Sequence, residues 1–462
     1  MSSNRRKFIK DIAKVSGAVA LSTLPGVKAI GRELDHLSSS QSLPTPSNSG
    51  IDHIVVVMME NRSFDHLFGW IRGAKGKQAG LVFKDANGIS HATHHLAPDF
   101  TGCGHPDPDH SYAGGRIQYA NGKMDGFLVD TVNDDYALGY YTEPDRPFHN
   151  ALAKQYTVCD RYFCSILGPT FPNRMFSHAA QTDRLSNTFT LSVLPTIWDR
   201  LALAGVSGTY YFSNLPFLGL WGPKYIPISR PYAQYLIDAA SGTLPAVSFV
   251  DPAFTIADLG EGNDDHPHAD IRAGDAFLAK TFSALANGPL WERSLFVITY
   301  DEWGGFYDHV PPPRAAAGNA VDTDIVGGET LLGFRIPVCI ASPYSFSRRG
   351  LDEGEQMPRV VNSIFDHASV LKFIEWRWEL SPLTPRDASR DITNLAYALD
   401  FNHPNFSVPQ LPQPTAPPPV PCTPLESVKS GASLLEQDEE GWTGLIRSGL
   451  LDSWNLKLPR AI

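Results

Sequence analysis

Cysteine is scarce in this sequence, with five residues among 462. Because five is an odd number, at least one cysteine has no partner within the chain. No CxxC pair is present, which argues against a zinc site built from thiolates. Cys159 and Cys164 lie close enough in sequence for a local disulfide in an oxidising compartment. For most of the five, however, a buried thiol that serves packing is the simpler expectation.

The motifs of three common enzyme classes are also missing. No apolar strand is followed by a GxSxG turn, a Walker A loop or a GxGxxG loop. These absences argue against serine hydrolases, P-loop nucleotide hydrolases and dinucleotide-binding enzymes. Basic residues number 38 against 49 acidic ones, so the net charge is −11. This charge argues against a nucleic-acid partner and against bulk electrostatic binding to anionic lipid, although a local basic pocket is compatible with it.

Long apolar runs are absent, and the N-terminus contains only a short one. Residues 1–29 combine a basic start that includes Arg5 and Arg6, a modest apolar middle and a small-residue exit at Ala29. This pattern predicts a twin-arginine-type signal peptide, too short to span a bilayer stably, whose partner is the twin-arginine translocation machinery. We therefore expect an exported protein, periplasmic or extracellular. The alternative is a basic amphipathic start that stays attached.

The rest of the chain has an organised centre and less regular flanks. Residues 30–49 are rich in Ser and Pro and predict a linker, and residues 50–400 predict the main domain. Residues 401–462 predict a proline-rich strap and a C-terminal segment with one short amphipathic helix, which is free to dock on the core.

Apolar strands separated by amphipathic helices predict an α/β fold. Buried strands are expected at Ile54 to Met59 and at Ser294 to Glu302, with shorter candidates near Ala246 and Arg335. Helices are expected in the stretches that begin at His268 and at Val360. This alternation predicts a three-layer sandwich around a mostly parallel central sheet.

Two of the predicted strands end in acidic residues. The first is followed by Glu60 and Asn61, and the second ends in Asp301 and Glu302. Ligands bind beyond the carboxyl ends of the strands in an open parallel sheet. Three carboxylates gathered there would repel one another unless a cation joined them, and hard oxygen atoms favour Ca²⁺ or Mg²⁺ over Zn²⁺. We therefore predict one divalent metal ion at this edge. The alternative is that each acid is an ordinary solvated residue at a strand end.

Thr170 stands in the stretch GPTFPNR, whose second proline suits the first turn of a helix. The residue is either only a helix N-cap, or its hydroxyl lies at a helix N-terminus where it contacts the metal and meets a phosphate. The spacing does not separate these alternatives. Asn173 and Arg174 follow in the same stretch and are able to donate to phosphate oxygens.

Several histidines occupy loops rich in Gly, Pro or Asp, among them His110, His266, His268 and His309. Loop histidines are poorly suited to a core, but they suit phosphate contact and general acid catalysis. For any single histidine a structural or exposed position is the commoner case. The acids that flank His266 and His309 favour a functional one.

These residues lie in segments that resemble the bacterial phospholipase C and acid phosphatase family of phosphoesterases, whose plant members are the non-specific phospholipases C. The matching segments run in the family's order from Ile51 to Trp378 and include ENRSFDHLFG, DPDHSY, NGKMDGF, GPTFPNR, NDDHPHADI, DEWGGFYDHVPPP and FDHASVLKFIEW. The resemblance implies an alkaline-phosphatase-like fold. It also implies a set of metal ligands and a nucleophilic hydroxyl that touches the metal: Glu60, Asn61, Asp301, Glu302 and Thr170. Histidines matching His110, His266 and His309 would surround the phosphoryl group.

The predicted activity is metal-dependent hydrolysis of a phosphoric ester through transfer to Thr170. The favoured substrate is a phospholipid, cleaved as by a phospholipase C. His266 would protonate the departing alkoxide, while His110, His309 and Asn173 would stabilise phosphoryl oxygens. One alternative is a broad acid phosphatase that cleaves monoesters. A more remote alternative is an exported, non-catalytic metal-binding protein.

Two further features bear on specificity. Many phospholipase-type members carry histidine where this chain has Trp303, so we expect altered specificity or rate rather than lost chemistry. The aromatic-rich segment Tyr210 to Pro223 is either an apolar lip for lipid entry, with peripheral membrane contact, or part of the core.

Overall fold

The computed structural model describes residues 42–129, 132–256, 260–348, 356–422 and 442–456. The predicted signal peptide at residues 1–29 and most of the predicted linker at 30–49 lie outside the described residues. The described residues from Pro44 onward group into one compact unit. In the part of the chain that is described, every helix is too short or too polar to cross a membrane.

The described chain contains fourteen strands, eight of which form the central sheet in the order β14-β6-β13-β10-β1-β9-β7-β8. The other six form three two-stranded sheets, β2-β3, β4-β5 and β11-β12. The strands are β1 (His53–Met59), β2 (Val82–Lys84), β3 (Ser90–Ala92), β4 (His94–His95), β5 (Gly139–Tyr140), β6 (Thr157–Cys159), β7 (Gly208–Phe212), β8 (Ser229–Pro231), β9 (Val247–Val250), β10 (Ser294–Tyr300), β11 (Arg314–Ala316), β12 (Glu329–Leu331), β13 (Cys339–Ala341) and β14 (Arg359–Val361).

All neighbours in the central sheet are parallel except around β13, which runs antiparallel to β10 and β6. No α-helix lies between β10 and β13, and a parallel return usually requires such a crossover. At the centre, β1 and β10 pair in register over their full lengths and are almost wholly buried. The mostly parallel sheet is therefore confirmed. The candidate strand near Arg335 is confirmed as β13, which runs antiparallel to its two neighbours.

Besides a C-terminal helical segment at 442–447, the described residues contain nine α-helices: α1 (Phe64–Phe68), α2 (Tyr112–Tyr119), α3 (Pro147–Gln155), α4 (Thr170–Ala179), α5 (Ile197–Leu203), α6 (Tyr232–Ser241), α7 (Ile271–Ala286), α8 (His367–Trp378) and α9 (Pro385–Ala388). Short 3-10 helices lie at Pro46–Asn48, Ala120–Gly122, Asp135–Leu138, Glu143–Asp145, Phe217–Ile228, Trp291–Arg293, Leu395–Ala398 and Asp452–Trp454. The helix expected from His268 is confirmed as α7. The helix expected from Val360 begins only at His367, because β14 comes first and the Asp366 side chain caps the helix.

Helices cover both faces of the sheet. Phe296 of β10 and Phe249 of β9 differ by one residue in the register that β1 sets, so their side chains point to opposite faces. Phe282 of α7 packs on Phe296, with ring centroids 5.5 Å apart. His178 of α4 packs on Phe249 at 4.8 Å. These contacts confirm the three-layer sandwich.

The disulfide differs from the one considered above. Cys103 bonds to Cys422, at the end of the proline-rich strap, across 319 residues of sequence. Cys159, Cys164 and Cys339 are free and buried, so the local bridge between Cys159 and Cys164 is wrong. Burial raises the pKa of all three thiols above the ordinary value, which leaves them as neutral packing groups.

The C-terminal segment docks on the main domain. A helix at 442–447 places Trp442 in a stacked contact with Phe254, with ring centroids 3.8 Å apart. The Trp454 indole donates to Gly222 O over 3.1 Å. Beneath it, Leu215, Phe217, Leu218, Leu220 and Trp221 are buried. The segment Tyr210 to Pro223 is therefore core rather than an apolar lip.

Glu375 in α8 is a buried acid whose titration should make the fold sensitive to pH. Burial, followed by the neighbouring Asp387, raises the pKa of Glu375 to about 10. The folded state therefore favours the protonated acid. The free energy of unfolding falls as pH rises from the ordinary carboxyl pKa to the raised pKa of Glu375. We expect Glu375→Gln to raise the melting temperature, and the gain should grow between about pH 5 and about pH 9. Thermal unfolding followed by circular dichroism measures it. The exposed Glu379→Gln should change little, and an equal effect of both variants would contradict the assignment.

Candidate active site

The four predicted metal ligands meet at the carboxyl ends of β1 and β10. Glu60 and Asn61 follow β1, Asp301 and Glu302 follow β10, and all four are fully buried. The Asn61 N–H donates to Asp301 Oδ1 over 3.0 Å. Parallel pairing of the two strands in one register causes this convergence, because residues that follow the last pair must lie side by side.

Two glycines after Glu302 allow the surrounding loops to approach closely. Gly304 has φ +64°, and a Cβ placed on it would lie 2.0 Å from Asn61 O. Gly305 has φ +71°, and its Cβ would lie 2.5 Å from Pro108 Cβ. Asn61 itself has φ +58°, a conformation that asparagine tolerates better than most residues. The GG pair therefore holds the β1, β10 and 108–110 loops together.

Gly304→Ala should disrupt this packing and lower turnover at least about tenfold, because the new methyl group would collide with the backbone of Asn61. Gly327→Ala is the matched control. Gly327 has nearly the same φ, +63°, but nothing lies within 4 Å of its added Cβ. Steady-state kinetics on a soluble phosphoester measures both variants. Equal losses would show that backbone strain, not contact with Asn61, causes the effect.

Thr170 is the first residue of α4, and Pro169 is the N-cap. The interpretation of Thr170 as only an N-cap is therefore wrong. Its hydroxyl donates to Asn61 Oδ1 over 3.4 Å and is buried, with 2% of the residue exposed. The helix thus brings an alcohol to the edge of the acid cluster, at a helix end that favours negative charge.

Asn173 and Arg174 do not offer their side chains to a phosphate. The Asn173 amide accepts from Ile166 N over 3.1 Å and donates to Gly168 O over 2.7 Å, so it braces the turn before Thr170. The Arg174 guanidinium is buried and donates to Asp301 Oδ2 over 3.0 Å and to Asp251 Oδ1 over 3.1 Å. For both residues the expected direct phosphate contact is replaced by a structural one.

The acid cluster fits a hard divalent cation. Arg174 Nη2 lies 3.3 Å from Glu60 Oε1, yet neither carboxylate oxygen of Glu60 accepts a hydrogen bond from a described residue. Burial raises the pKa of Glu60 well above its ordinary value, and Arg174 opposes the effect. Burial likewise raises the pKa of Asp301 to about 6, again opposed by Arg174. Carboxylate, amide and hydroxyl oxygens are the ligands that Ca²⁺ and Mg²⁺ prefer.

His110 and His266 lie beside this cluster together with Asp107. His110 Nδ1 lies 2.7 Å from Pro108 O, and Nε2 lies 3.3 Å from Asn61 Nδ2 and 3.9 Å from Glu302 Oε1. His266 Nδ1 lies 2.7 Å from Pro267 O, and Nε2 lies 3.7 Å from Asp107 Oδ2. In both rings Nδ1 therefore carries the proton that the carbonyl accepts, and Nε2 faces polar groups of the site.

His309 belongs to a second polar cluster. Its Nδ1 lies 2.5 Å from Asp65 Oδ2, and its side chain is 30% exposed. Arg335 donates to Asp65 Oδ1 over 3.1 Å and to Asp308 Oδ1 over 3.0 Å. The contacts of His309 are thus with Asp65 and Arg335, and none of its described contacts is with Thr170.

Several supporting residues were not predicted. Asp264 lies next to Glu60 and accepts from Thr255, and His367 Nε2 donates to Asp301 O over 2.7 Å. The segment NDDHPHADI contains Asp264, but the local sequence does not indicate that this carboxylate lies next to Glu60. Trp303 is buried and donates to Gln118 Oε1 over 2.7 Å. It therefore connects the β10 loop to α2 instead of contacting the site with a ring nitrogen.

The chain is similar in sequence to known proteins. A model of the phosphoesterase family matches residues 51–381. Non-specific phospholipase C1 of Arabidopsis thaliana is 32% identical over 394 residues, which cover 76% of this chain and 73% of that protein. Phospholipase C B of Mycobacterium tuberculosis is 30% identical over 490 residues, with 89% and 88% covered.

The chain also matches a solved structure of a Vibrio parahaemolyticus protein in the alkaline phosphatase superfamily. The match covers 90% of this chain and 91% of that protein's chain. That protein is 10% identical to this chain, with a TM-score of 0.36. The family match spans well over half of the chain, and the two phospholipases C match along most of their lengths. The chain therefore belongs to the phosphoesterase family and is a phosphoric ester hydrolase.

Proposed function

We propose that this protein is a metal-dependent phospholipase C, which releases diacylglycerol and a phosphorylated head group through a phosphothreonine intermediate. The observation that carries the proposal is the position of the Thr170 hydroxyl, 3.4 Å from Asn61 Oδ1 within a buried cluster of acids. Relatives named phospholipase C, at 30% and 32% identity, support the choice of a phospholipid as substrate.

One divalent cation would be held by oxygen atoms of five residues: Glu60, Asn61, Thr170, Asp301 and Glu302. When bound, it supplies positive charge that lowers the pKa of the threonine hydroxyl and offsets the charge of the phosphate. Ca²⁺ or Mg²⁺ is favoured because every donor is a hard oxygen. Arg174 forms ion pairs with Glu60 and Asp301 and holds both carboxylates in place.

In the first step the Thr170 hydroxyl releases its proton to solvent, and its oxygen attacks phosphorus in line with the glycerol oxygen that leaves. His266 Nε2 gives its proton to that oxygen, and Asp107 stabilises the protonated ring. His110, whose Nδ1 donates to Pro108 O, donates from Nε2 to a phosphoryl oxygen when the ring is doubly protonated. Diacylglycerol departs, and the head group stays on Thr170 as a phosphodiester.

In the second step water attacks the same phosphorus, and His266, now neutral, takes the proton from the water. Thr170 leaves and takes back a proton from solvent, and the head group departs as a phosphomonoester. Asn173 serves the reaction by bracing the turn before Thr170. His309, oriented by Asp65, remains a candidate for contact with the substrate from the edge of the site.

A panel of phosphoesters tests this function. Protein stripped of metal and reloaded with Ca²⁺, Mg²⁺, Mn²⁺ or Zn²⁺ is assayed for phosphocholine release from phosphatidylcholine and for hydrolysis of p-nitrophenyl phosphate. We expect faster cleavage of the lipid diester with at least one of these ions. The opposite preference would establish an acid phosphatase. Tight metal binding without turnover of any ester would establish a non-catalytic metal-binding protein.

We also propose that the protein is exported by the twin-arginine route. The Cys103–Cys422 disulfide supports this proposal, because such bonds persist in oxidising compartments. Replacement of Arg5 and Arg6 by lysine should retain the protein in the cytoplasmic fraction of a bacterial host. Unchanged export of this variant would contradict the proposed route.

A further inference from the structure

An exposed apolar loop lies next to the nucleophile. Of the thirteen large apolar side chains that are exposed in the described residues, three fall within five positions. They are Phe189, Leu191 and Val193, with 43%, 51% and 86% of each residue exposed. Single exposed apolar residues are ordinary, whereas a contiguous group marks an interaction surface. We call residues 187–194 the apolar loop.

The backbone of the loop is fixed to the rest of the protein. The intervening residues are tied to the protein: Arg184 donates to Thr188 O and, over 2.8 Å, to Thr190 O. Ser192 is buried and its N–H donates to Leu220 O over 2.8 Å. These backbone hydrogen bonds fix the course of the loop, and Phe189, Leu191 and Val193 stay exposed along it.

The same loop contacts the helix that carries Thr170. Asn187 Oδ1 accepts from the N–H of Phe171, the next residue after Thr170, over 2.8 Å. The Phe189 ring packs against Gly444 of the helix at 442–447, where an added Cβ would lie 2.3 Å from the ring. Phe189, the first exposed apolar residue of the loop, therefore lies two residues after Asn187, which is hydrogen-bonded to α4.

Charge indicates which surface these side chains fit. Residues 185–198 contain no charged side chain, and Arg184 is buried with its guanidinium directed at the loop's own carbonyls. The whole chain carries a net charge of −11, which opposes anionic lipid. Three apolar side chains flanked by serine and threonine suit the boundary between head groups and acyl chains of a zwitterionic bilayer.

We propose that the apolar loop inserts into the surface of a zwitterionic phospholipid bilayer and brings the lipid phosphate to Thr170. This inference rests on the proposed phospholipase function and names the surface by which that function reaches its substrate. It replaces the buried segment Tyr210 to Pro223 as the site of membrane contact.

Vesicle binding tests the proposal without turnover. In a Thr170→Ala background, sedimentation with phosphatidylcholine vesicles compares the loop variant Leu191→Ser/Val193→Ser with the control Val82→Ser/Ile89→Ser. The control residues are similarly exposed, at 61% and 59%, but lie in the β2-β3 hairpin. We expect the loop variant to bind about tenfold more weakly or worse, and the control to stay within about twofold. Added anionic lipid should weaken binding. Unchanged binding of the loop variant, or equal losses in both variants, would overturn the proposal.

A second assay separates this inference from the proposed function. With Thr170 intact, the loop variant should hydrolyse monomeric short-chain phosphatidylcholine at the wild-type rate and lose activity only on vesicles. Equal losses on both substrates would overturn the inference, because the loop would then act through the geometry of the site. Vesicle binding without turnover of monomeric lipid would reject the phospholipase function and leave the membrane surface standing.

Discussion

Thr170→Ala should abolish turnover of every phosphoester and leave the fold intact. The substitution removes the only protein atom proposed to bond to phosphorus, so we expect a loss of roughly 10³-fold or more. The hydroxyl makes one long hydrogen bond, 3.4 Å to Asn61, so its removal should cost little stability. Activity assays and thermal unfolding of the same preparation measure the two effects.

Thr170→Ser is the matched control, because serine keeps an alcohol at the first position of α4. It should retain a measurable part of the activity, and rapid quenching should trap a phosphorylated peptide that contains residue 170. Substantial turnover by Thr170→Ala, or a phosphate trapped on another residue, would reject Thr170 as the nucleophile.

Glu60→Gln should separate metal binding from folding. Its carboxylate is fully buried, accepts no hydrogen bond from the described residues, and has a pKa raised well above the ordinary value by burial. A neutral amide of the same shape removes the cost of a buried charge, so the metal-free variant should be at least as stable as the wild type near neutral pH. Affinity for the divalent ion should fall about 100-fold or more, because an anionic ligand is lost.

Calorimetric titration and the rise in melting temperature on adding metal both report this change. Asp275→Asn provides the contrast, since Asp275 is a buried acid outside the site that accepts from the N–H groups of Phe148 and His149. That variant should be destabilised equally with and without metal. Unchanged metal affinity of Glu60→Gln would remove Glu60 from the ligand set.

The sequence predicted the convergence of the site because the cause is local to two strands. Parallel neighbours end at the same edge, so acids placed after β1 and after β10 must meet. The role of Arg174 was harder to predict, since GPTFPNR does not show whether the guanidinium contacts a substrate or the carboxylates of the protein. Only the approach of α4 to the strand ends decides this, and it directs Arg174 to Asp301 and Asp251.

Contacts between distant segments could not be predicted from local patterns. The aromatic-rich segment at 210–223 has the composition of either a lip or a core, and it became core because the C-terminal segment covers it. The apolar loop, by contrast, is a short stretch of modest hydrophobicity. It is recognised as a surface only from the exposure of Phe189, Leu191 and Val193 in the folded protein.

The covalent bond from Cys103 to Cys422 makes most of the molecule a closed ring, and Thr170, His266 and Asp301 all lie inside it. On the chain-entropy model, closing a ring of this size lowers the conformational entropy of the unfolded chain and stabilises the folded state by roughly 6 kcal/mol. That contribution exists only where thiols are oxidised. The durability of the enzyme is thereby tied to the redox conditions of its surroundings, and a single proteolytic cut within the ring would still leave both fragments joined.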